Sequence, residues 1–215
     1  MNMKELLGLH PLDPILDQYI SSISTASARD ETIAPEIKSY PDAVYFNYYP
    51  LGLSLLFSPR AGYKLTSGLK IADLKHEMLV LDSIYIYNVP KQAGARKQGT
   101  SSRAAELSYT SFPVSPIVIA ITTVSSDKDG KPIDRPPKFN IGLGTSGKDF
   151  IKALGEPDRK GGGAGPSSGS IGIWCEWSKD GIMVEFGGDE AKGPQAWERG
   201  KDAIWKIITI FSPIQ

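Results

Sequence analysis

The chain has 215 residues, with 24 basic side chains against 24 acidic ones and a hydrophobic content of 40%. This length suits one ordinary domain or two small ones, and the balanced charge gives no electrostatic support for nucleic acid or an anionic membrane as a partner. The single cysteine, Cys175, excludes an internal disulfide and a zinc site built from several cysteines.

Hydropathy and the N-terminal residues bear on the location of the protein. No apolar run reaches the ~18 residues of a membrane span. Residues 1–12 lack the apolar segment followed by small residues that marks a secretory signal. We therefore expect a soluble, cytoplasmic protein without a transmembrane segment.

The first predicted element is a helix over residues 13–24. Asp13 is a favourable N-cap residue, and Pro14 suits the first helical position because its fixed φ is already helical. Apolar side chains then recur every three or four residues, which predicts one buried stripe. The stripe consists of Ile15, Leu16, Tyr19, Ile20 and Ile23.

An antiparallel hairpin is predicted next, in the segment VYFNYYPLGLSLLF. Its apolar side chains alternate, which places one set on a common sheet face. In the turn, Pro50 presets φ and Gly52 accepts the left-handed conformation. The opposite face carries Tyr45, Tyr49 and Leu56, so we expect that face to be covered as well. A third strand, LVLDSIYIY, follows.

The middle of the chain is predicted to contain a connector loop at residues 91–116. Its basic stretch, 91–103, contains glycine and serine and has no periodicity, which indicates an exposed loop. Beyond it, strands at 117–124 and 138–143 can pair across a turn at 127–130.

A second helix is predicted over residues 148–154. Thr145 or Ser146 can cap its start, Gly155 suits its C-terminal cap, and Pro157 prevents its continuation. The low-complexity segment GGGAGPSSGS follows, and we expect it to be mobile or pressed against another backbone.

A second hairpin is predicted in the segment IWCEWSKDGIMVEF, because its Asp-Gly turn separates two alternating strands. A third strand follows at 204–211. Aligning Gly52 with Gly181 superposes six apolar positions without a gap, which predicts an internal repeat. The pairs are Val44 with Ile173, Phe46 with Cys175, Tyr48 with Trp177, Leu53 with Ile182, Leu55 with Val184 and Phe57 with Phe186. A Leu-Gly pair shortly before Pro11 and another before Pro157 extend the match.

Together these elements predict an α+β fold of two related helix-plus-antiparallel-hairpin modules, which form one continuous sheet or two adjoining sheets. The modules occupy residues 1–90 and 117–215. Nine side chains are predicted to be nearly fully buried. They are Val44, Leu53, Leu55, Ile84, Trp177, Ile182, Val184, Phe186 and Ile207.

Two loops superficially suggest ligand sites. The glycines after Lys160 lack the Gly-Lys-Ser/Thr ending of a phosphate-binding loop. Asp127, Asp129 and Asp134 lack the bidentate glutamate of a calcium loop. A flexible loop and a plain hairpin turn are the favoured interpretations.

Catalytic residues are equally weakly indicated. Neither His10 nor His76 has a carboxylate or nucleophile partner set by its spacing. Cys175 lies on the predicted core face, where a thiol behaves as a small hydrophobe. We therefore expect no catalytic residue, no metal and no cofactor, and we lean against an enzyme.

The aromatic residues are the best candidates for binding. Trp174 alternates with the core set and lies on one face with Glu176 and Glu185, so it can anchor a partner on an open sheet face. Tyr45 and Tyr49 are the corresponding candidates in the first hairpin.

The order of helix, Leu-Gly before proline, strand, glycine turn and two further strands is similar to the tandem α-β modules of the beta-lactamase-inhibitor-protein type. Small lipoproteins of the outer-membrane assembly machinery share this order. The segments YFNYYPLGLSLLF and LVLDSIYIYNV resemble the phagophore assembly factor family of eukaryotic autophagy-linked proteins. The resemblance covers residues 40–90 and 150–211, and it implies binding and scaffolding.

Three functions remain open. The first is a non-catalytic binding or scaffold protein that contacts another protein through an aromatic sheet face or the seam between modules. The second is a small-ligand-binding protein or an enzyme with an acid–base pocket between the halves, formed by Asp82, Glu176, Glu185 and Tyr85. The third is a carbohydrate-binding module centred on Trp174. The partner and the oligomeric state are not predicted.

Overall fold

The computed structural model describes residues 2–27, 33–89, 108–121, 124–126, 131–163 and 172–214. The chain divides into two compact units, residues 3–114 and 115–215. Both combine helices with mostly antiparallel strands, which confirms the predicted α+β class. Among the described helices, none has the length and hydropathy that a membrane-spanning segment requires.

In its described residues the first unit shows one α-helix and a four-stranded antiparallel meander, in which each strand pairs with its sequence neighbour. A 3-10 turn at Met3–Leu6 precedes the helix. The elements are α1 (Pro14–Ala26), β1 (Glu36–Ser39), β2 (Val44–Tyr48), β3 (Leu53–Pro59) and β4 (Leu79–Tyr87).

Helix α1 begins where the sequence predicts. The Asp13 carboxylate accepts a hydrogen bond from the Ile15 backbone N–H at 2.9 Å, which satisfies one of the free donors of the first turn. Leu16, Tyr19 and Ile23 are buried. Ile15 itself is 47% exposed, so the buried stripe is narrower than predicted.

The second unit repeats the order of helix and four-stranded meander and adds two small strand pairs. The helix and meander are α2 (Gly147–Leu154), β9 (Arg159–Gly161), β10 (Trp174–Trp177), β11 (Ile182–Phe186) and β12 (Trp205–Phe211). The added pairs are β5 (Ile117–Ala120) with β8 (Lys138–Ile141) and β6 (Val124–Ser126) with β7 (Pro132–Asp134). A short helix, α3 (Ala196–Arg199), precedes β12.

Ser146 caps α2, as one of the two predicted alternatives. The Asp149 carboxylate accepts from the Ser146 N–H at 2.8 Å and from its hydroxyl at 2.6 Å, and these bonds lower the pKa of Asp149. Gly155 ends the helix. Most of the predicted connector, the predicted turn at 127–130 and most of the glycine-rich segment lie outside the described residues.

The two hairpins turn in the same way. In each, a single 3-10 turn ends at a left-handed glycine, Gly52 with φ 57° and Gly181 with φ 62°. A Cβ on either glycine would collide with the backbone of a neighbouring segment, at Thr110 and Phe211 respectively. Glycine is therefore required at both positions for its φ and for its size.

The pairing of each hairpin with the strand that follows it, β3 with β4 and β11 with β12, is irregular at matching positions. The register shifts between Leu56 and Phe57 on β3 and between Glu185 and Phe186 on β11, positions that the alignment of Gly52 with Gly181 makes equivalent. The two hairpin regions therefore share the positions of their turn glycine and of this register shift. The Leu-Gly match is wrong, since Gly8 precedes α1 whereas Gly155 ends α2.

All nine residues of the predicted core are buried. In the second unit Phe150 of α2 stacks on Trp177 at 6.1 Å and meets Phe186 edge-on at 5.8 Å. Ile207 is also buried, but on the other face of the sheet. Its register partner is Glu185, whose side chain points away from the face that carries Val184 and Phe186.

A buried ion pair supports the second hairpin turn. The Arg135 guanidinium donates to both carboxylate oxygens of Asp180, at 2.6 and 3.1 Å, and to the Leu154 carbonyl at 2.9 Å. Their side chains are only 4% and 2% exposed. Asp180 therefore stabilises the turn through a buried ion pair as well as forming part of the predicted Asp-Gly turn.

Candidate functional site

The outward face of the first unit's sheet carries a concentration of tyrosines. We call this surface the tyrosine face. It consists of Tyr40, Tyr45, Tyr49, Tyr85, Tyr87 and Tyr109. Alternation along β2 and β4 explains three of them, because Tyr45, Tyr85 and Tyr87 point away from the buried set on their strands.

Three of these tyrosines form a chain of ring contacts at the β1 side. Tyr40 meets Tyr45 edge-on, with ring centroids 5.8 Å apart and planes at 89°. Tyr45 in turn lies 6.2 Å from Tyr85. Tyr40 is 46% exposed, whereas Tyr45 and Tyr85 are half-buried. Burial raises the pKa of Tyr45, and the nearby Asp42 raises it further.

A second ring cluster lies beside the hairpin turn. Tyr109 stacks on Tyr87 with centroids 3.7 Å apart and nearly parallel planes, and it lies 4.6 Å from Tyr49. Tyr109 comes from a later segment of the first unit that bonds to the hairpin turn, since the Thr110 N–H donates to the Tyr49 carbonyl at 3.0 Å. This segment covers the end of the tyrosine face that contains Tyr49, and the sequence predicts that this face is covered. At the other end of the face, the Tyr40 side chain is exposed to solvent.

Buried polar side chains hold the Tyr109 phenol in place. The side-chain oxygen of Asn47 accepts hydrogen bonds from the Tyr109 hydroxyl at 2.6 Å and from the Ser54 hydroxyl at 2.8 Å. Asn47 and Ser54 are both buried. Burial also raises the pKa of Tyr109, so this phenol stays protonated and remains a donor at neutral pH.

A charged pair stands at the rim. The Lys38 ammonium donates to the Tyr49 hydroxyl at 3.0 Å and lies 3.3 Å from the Glu36 carboxylate. Both contacts raise the pKa of Lys38, and the hydrogen bond with Tyr49 contributes more than the contact with Glu36. The Tyr49 hydroxyl completes the network by donating to Glu36 at 3.3 Å. The rings are therefore held by polar contacts, while one edge stays in solvent.

The predicted site in the second unit differs from expectation. Glu176 is only 7% exposed, and its carboxylate accepts from the Ser178 hydroxyl at 2.6 Å and from Arg159 at 3.3 Å. Trp174 is half-buried, because its indole lies over Gly161 on the neighbouring strand. Glu185 is also half-buried and directly opposes Trp174. The expectation of an open tryptophan between two exposed acids is wrong, since the unpredicted strand β9 brings Arg159 and Gly161 onto this face.

A groove runs along β1 in the first unit. Its volume is about 430 Å³. Two stretches of chain line it, Ile37, Lys38, Ser39 and Tyr40 on one side and Gly68, Leu69, Lys70 and Ile71 on the other. We call it the edge groove. Lys38 and Tyr40 link it to the tyrosine face.

The structure places the other chemically suggestive residues apart from one another. Cys175 is buried, and burial raises the pKa of its thiol to about 11, which suits an inert core residue. His76 Nε2 lies 3.1 Å from the Ile71 carbonyl, and His10 Nδ1 accepts from the Leu12 N–H at 3.2 Å. Among the described residues, no three metal-ligating side chains converge on one point.

Comparisons with known protein families, curated proteins and solved structures gave no match to this chain. The likeness of the hairpin segments to known modules therefore stays a prediction. Sequence reasoning selected Tyr45 and Tyr49 but missed Tyr40, Tyr87 and Tyr109 as parts of the same surface. Alternation could have found Tyr87, because it shares a face with Tyr85. No local signal links Tyr109 to Asn47, which lies 62 residues away in sequence.

Proposed function

We propose that this is a non-catalytic binding or scaffold protein that contacts another protein through the tyrosine face. The observation that carries the proposal is the gathering of six tyrosines on one sheet face, of which Tyr109 is held by Asn47 and Tyr49 by Lys38. Tyrosine is enriched in interfaces because it offers a large, rigid contact area and a hydroxyl at a low cost in conformational entropy.

Preorganisation supports a binding role further. Binding costs free energy when side chains must be ordered on contact, and rings already fixed by stacking and hydrogen bonds avoid much of that cost. Tyr109 is held on both sides, by the stack with Tyr87 and by Asn47. Tyr40 offers an exposed ring next to this rigid set.

The proposal includes a tandem arrangement of two α-β modules and a cytoplasmic location. The matched turns and bulges of the two hairpins support the tandem arrangement. The chain's one cysteine is a buried free thiol, which suits a reducing compartment.

Paired capture experiments test the proposal. The full chain and a Tyr40→Ser/Tyr45→Ser variant are immobilised, and proteins from native lysate of the source cells are captured and quantified by mass spectrometry. Tyr63→Ser is the matched control, because Tyr63 is also half-buried but lies outside the tyrosine face. We expect a partner that wild type and Tyr63→Ser retain and that the double variant loses by about tenfold or more, as for the removal of an interface hot spot.

A thermal melt, a capture with a variant of the second unit and an oligosaccharide-binding measurement complete the test. The double variant should keep a Tm close to that of wild type, since the changes lie on a partly open face. A Trp174→Ala variant should capture the same partner as wild type. If it alone loses the partner, the contact surface is on the second unit and the proposal is wrong. Binding of wild type to oligosaccharides, lost in the double variant, would identify a carbohydrate-binding module instead.

A further inference from the structure

Strand β1 is an edge strand of the first unit's sheet. Within the described residues it pairs with β2 alone. The Tyr40 N–H donates to the Ala43 carbonyl at 2.8 Å. The backbone N–H and C=O groups of every second residue back from Tyr40, such as Lys38, therefore point toward β2. Because successive residues alternate, the backbone groups of Ile37 and Ser39 point the other way, into the edge groove.

The far end of this edge is already occupied. The Ser39 carbonyl accepts from the Gly68 N–H at 3.3 Å, and its hydroxyl accepts from the Leu69 N–H at 2.6 Å. These bonds hold residues 68–71 at a fixed distance from the strand and so form the second wall of the groove. The backbone of Ile37 faces the space between the two walls.

The side chains around the groove sort by sheet face. Ile37 stands on the core side of β1, and Lys38 stands on the side of the tyrosine face, opposite Tyr45 in register. Leu69 is half-buried and Ile71 is 46% exposed, which adds apolar surface to the groove.

The charged side chains that line the groove itself are both basic. Lys38 and Lys70 are its charged lining residues, and no carboxylate lines it. Glu36 lies 3.3 Å from the Lys38 ammonium. By contrast, the Asp73 carboxylate accepts from the Lys70 backbone N–H at 3.2 Å and not from its ammonium, so the Lys70 side chain supplies most of the charge that a ligand would meet. A strand laid beside β1 would present alternate side chains to Ile37 and to Lys38.

We propose that the edge groove binds an extended acidic peptide segment, which adds as a strand to β1 and alternates apolar with acidic side chains. The apolar side chains contact Ile37, Leu69 and Ile71, and the acidic ones face Lys38 and Lys70. Main-chain hydrogen bonds supply affinity in this mode of recognition and alternate side chains supply specificity. The inference goes beyond the proposed function, since a folded partner on the tyrosine face does not require it.

A peptide titration tests the inference without any knowledge of the natural partner. The probe is a short, fluorescein-labelled peptide of alternating glutamate and valine, titrated with the full chain by fluorescence anisotropy. A peptide of the same composition, with the glutamates and valines in two separate blocks, is the first control. Saturable binding of the alternating peptide, with at least about tenfold weaker binding of the block peptide, supports the proposal.

Two N-methylated versions of the peptide test the backbone pairing. In one version every valine amide is methylated, and in the other every glutamate amide is. In a paired strand the amides of one parity face β1 and those of the other face solvent. We therefore expect one version to lose binding and the other to keep it. Equal binding of both versions would overturn strand addition.

Variants of the protein locate the site. Lys70→Glu and Ile71→Ser should each weaken binding about fivefold or more, because they reverse a rim charge and remove apolar contact. Matched controls are Lys64→Glu, another exposed lysine, and Ile15→Ser, whose side chain is as exposed as that of Ile71. Both controls should stay within about twofold of wild type, as expected for surface changes outside the site.

A second copy of this chain is the competing occupant of the groove. Light scattering coupled to size-exclusion chromatography distinguishes it, because pairing of two β1 strands would give a dimer that Ile71→Ser, which removes apolar contact from both copies, weakens. That result, or equal peptide binding by Lys70→Glu, Ile71→Ser and wild type, would overturn the proposal. Failure of the peptide test leaves the capture test at the tyrosine face unaffected, so the two proposals fail separately.

Discussion

The outward faces of the two hairpins carry different side chains at matching positions. With Gly52 aligned on Gly181, Tyr45 corresponds to Trp174 and Asn47 corresponds to Glu176. Both Asn47 and Glu176 are buried acceptors that fix their neighbours. In the first unit the fixed neighbours are the Tyr109 phenol and the Ser54 hydroxyl, whereas in the second they are the Ser178 hydroxyl and the Arg159 guanidinium. A shared backbone frame therefore supports an aromatic surface in one unit and an ion-paired one in the other.

The edge strands explain part of this difference. The register partner of Tyr45 on β1 is Lys38, and the register partner of Trp174 on β9 is Gly161. Glycine leaves space above the strand, so the Trp174 indole lies down on it and becomes half-buried. The lysine at the matching position in the first unit has a long side chain, whose ammonium lies over the Tyr49 ring.

The largest change in the free energy of unfolding is expected at the hairpin turns, where Leu51 of the first unit corresponds to Asp180 of the second. Asp180→Ala leaves the Arg135 guanidinium buried without its main partner, and we expect a loss of about 3–5 kcal/mol in the free energy of unfolding. Urea denaturation measures this. The double variant Arg135→Met/Asp180→Leu copies the apolar character of the first unit and should recover most of the loss. If Asp180→Ala costs less than about 1 kcal/mol, the pair is not the support that its burial indicates.

How much of this comparison the sequence predicts depends on the distance between the interacting residues. Alternation and turn residues are local, so they predict both hairpins, both third strands and all nine core residues. The strands β1 and β9 were missed because EIKS and RKG are short and polar, and their pairing depends on partners elsewhere in the chain. The Arg135–Asp180 pair spans 45 residues, and no periodic pattern links such residues before the chain folds.

A smaller effect is expected at Asn47, which organises the tyrosine face. Asn47→Ala removes the acceptor of the Tyr109 and Ser54 hydroxyls, and we expect a loss of about 1–3 kcal/mol in unfolding free energy. The near-ultraviolet circular dichroism of the tyrosines should change as well, because the stack of Tyr109 on Tyr87 loses its anchor. Ser22→Ala is the control, since its hydroxyl bonds only locally to the Tyr19 carbonyl within helix α1. An unchanged tyrosine signal in Asn47→Ala would show that stacking alone fixes the rings.

The smallest effect on stability, with the clearest spectroscopic signal, is expected at Gly161. A Cβ at this position would lie 2.6 Å from the Trp174 ring, so Gly161→Ala should lift the indole toward solvent. Its backbone φ is ordinary, and alanine restricts the unfolded chain, so the net change in unfolding free energy should stay within about 1 kcal/mol. The measurement is acrylamide quenching of tryptophan fluorescence in a Trp197→Phe background, which removes the one strongly exposed indole among the four.

Quenching should increase in Gly161→Ala and should not increase when Trp174 is also replaced by phenylalanine. Trp177 and Trp205 are both buried and donate to the Gly155 and Gly142 carbonyls, so they serve as an internal reference. An indole that emerges in this way would give the second unit the open aromatic surface that the first unit has. If quenching is unchanged, the Trp174 indole does not depend on the missing Cβ of Gly161 for its half-buried position. The difference in exposure between the two aromatic faces would then not arise from the edge strand.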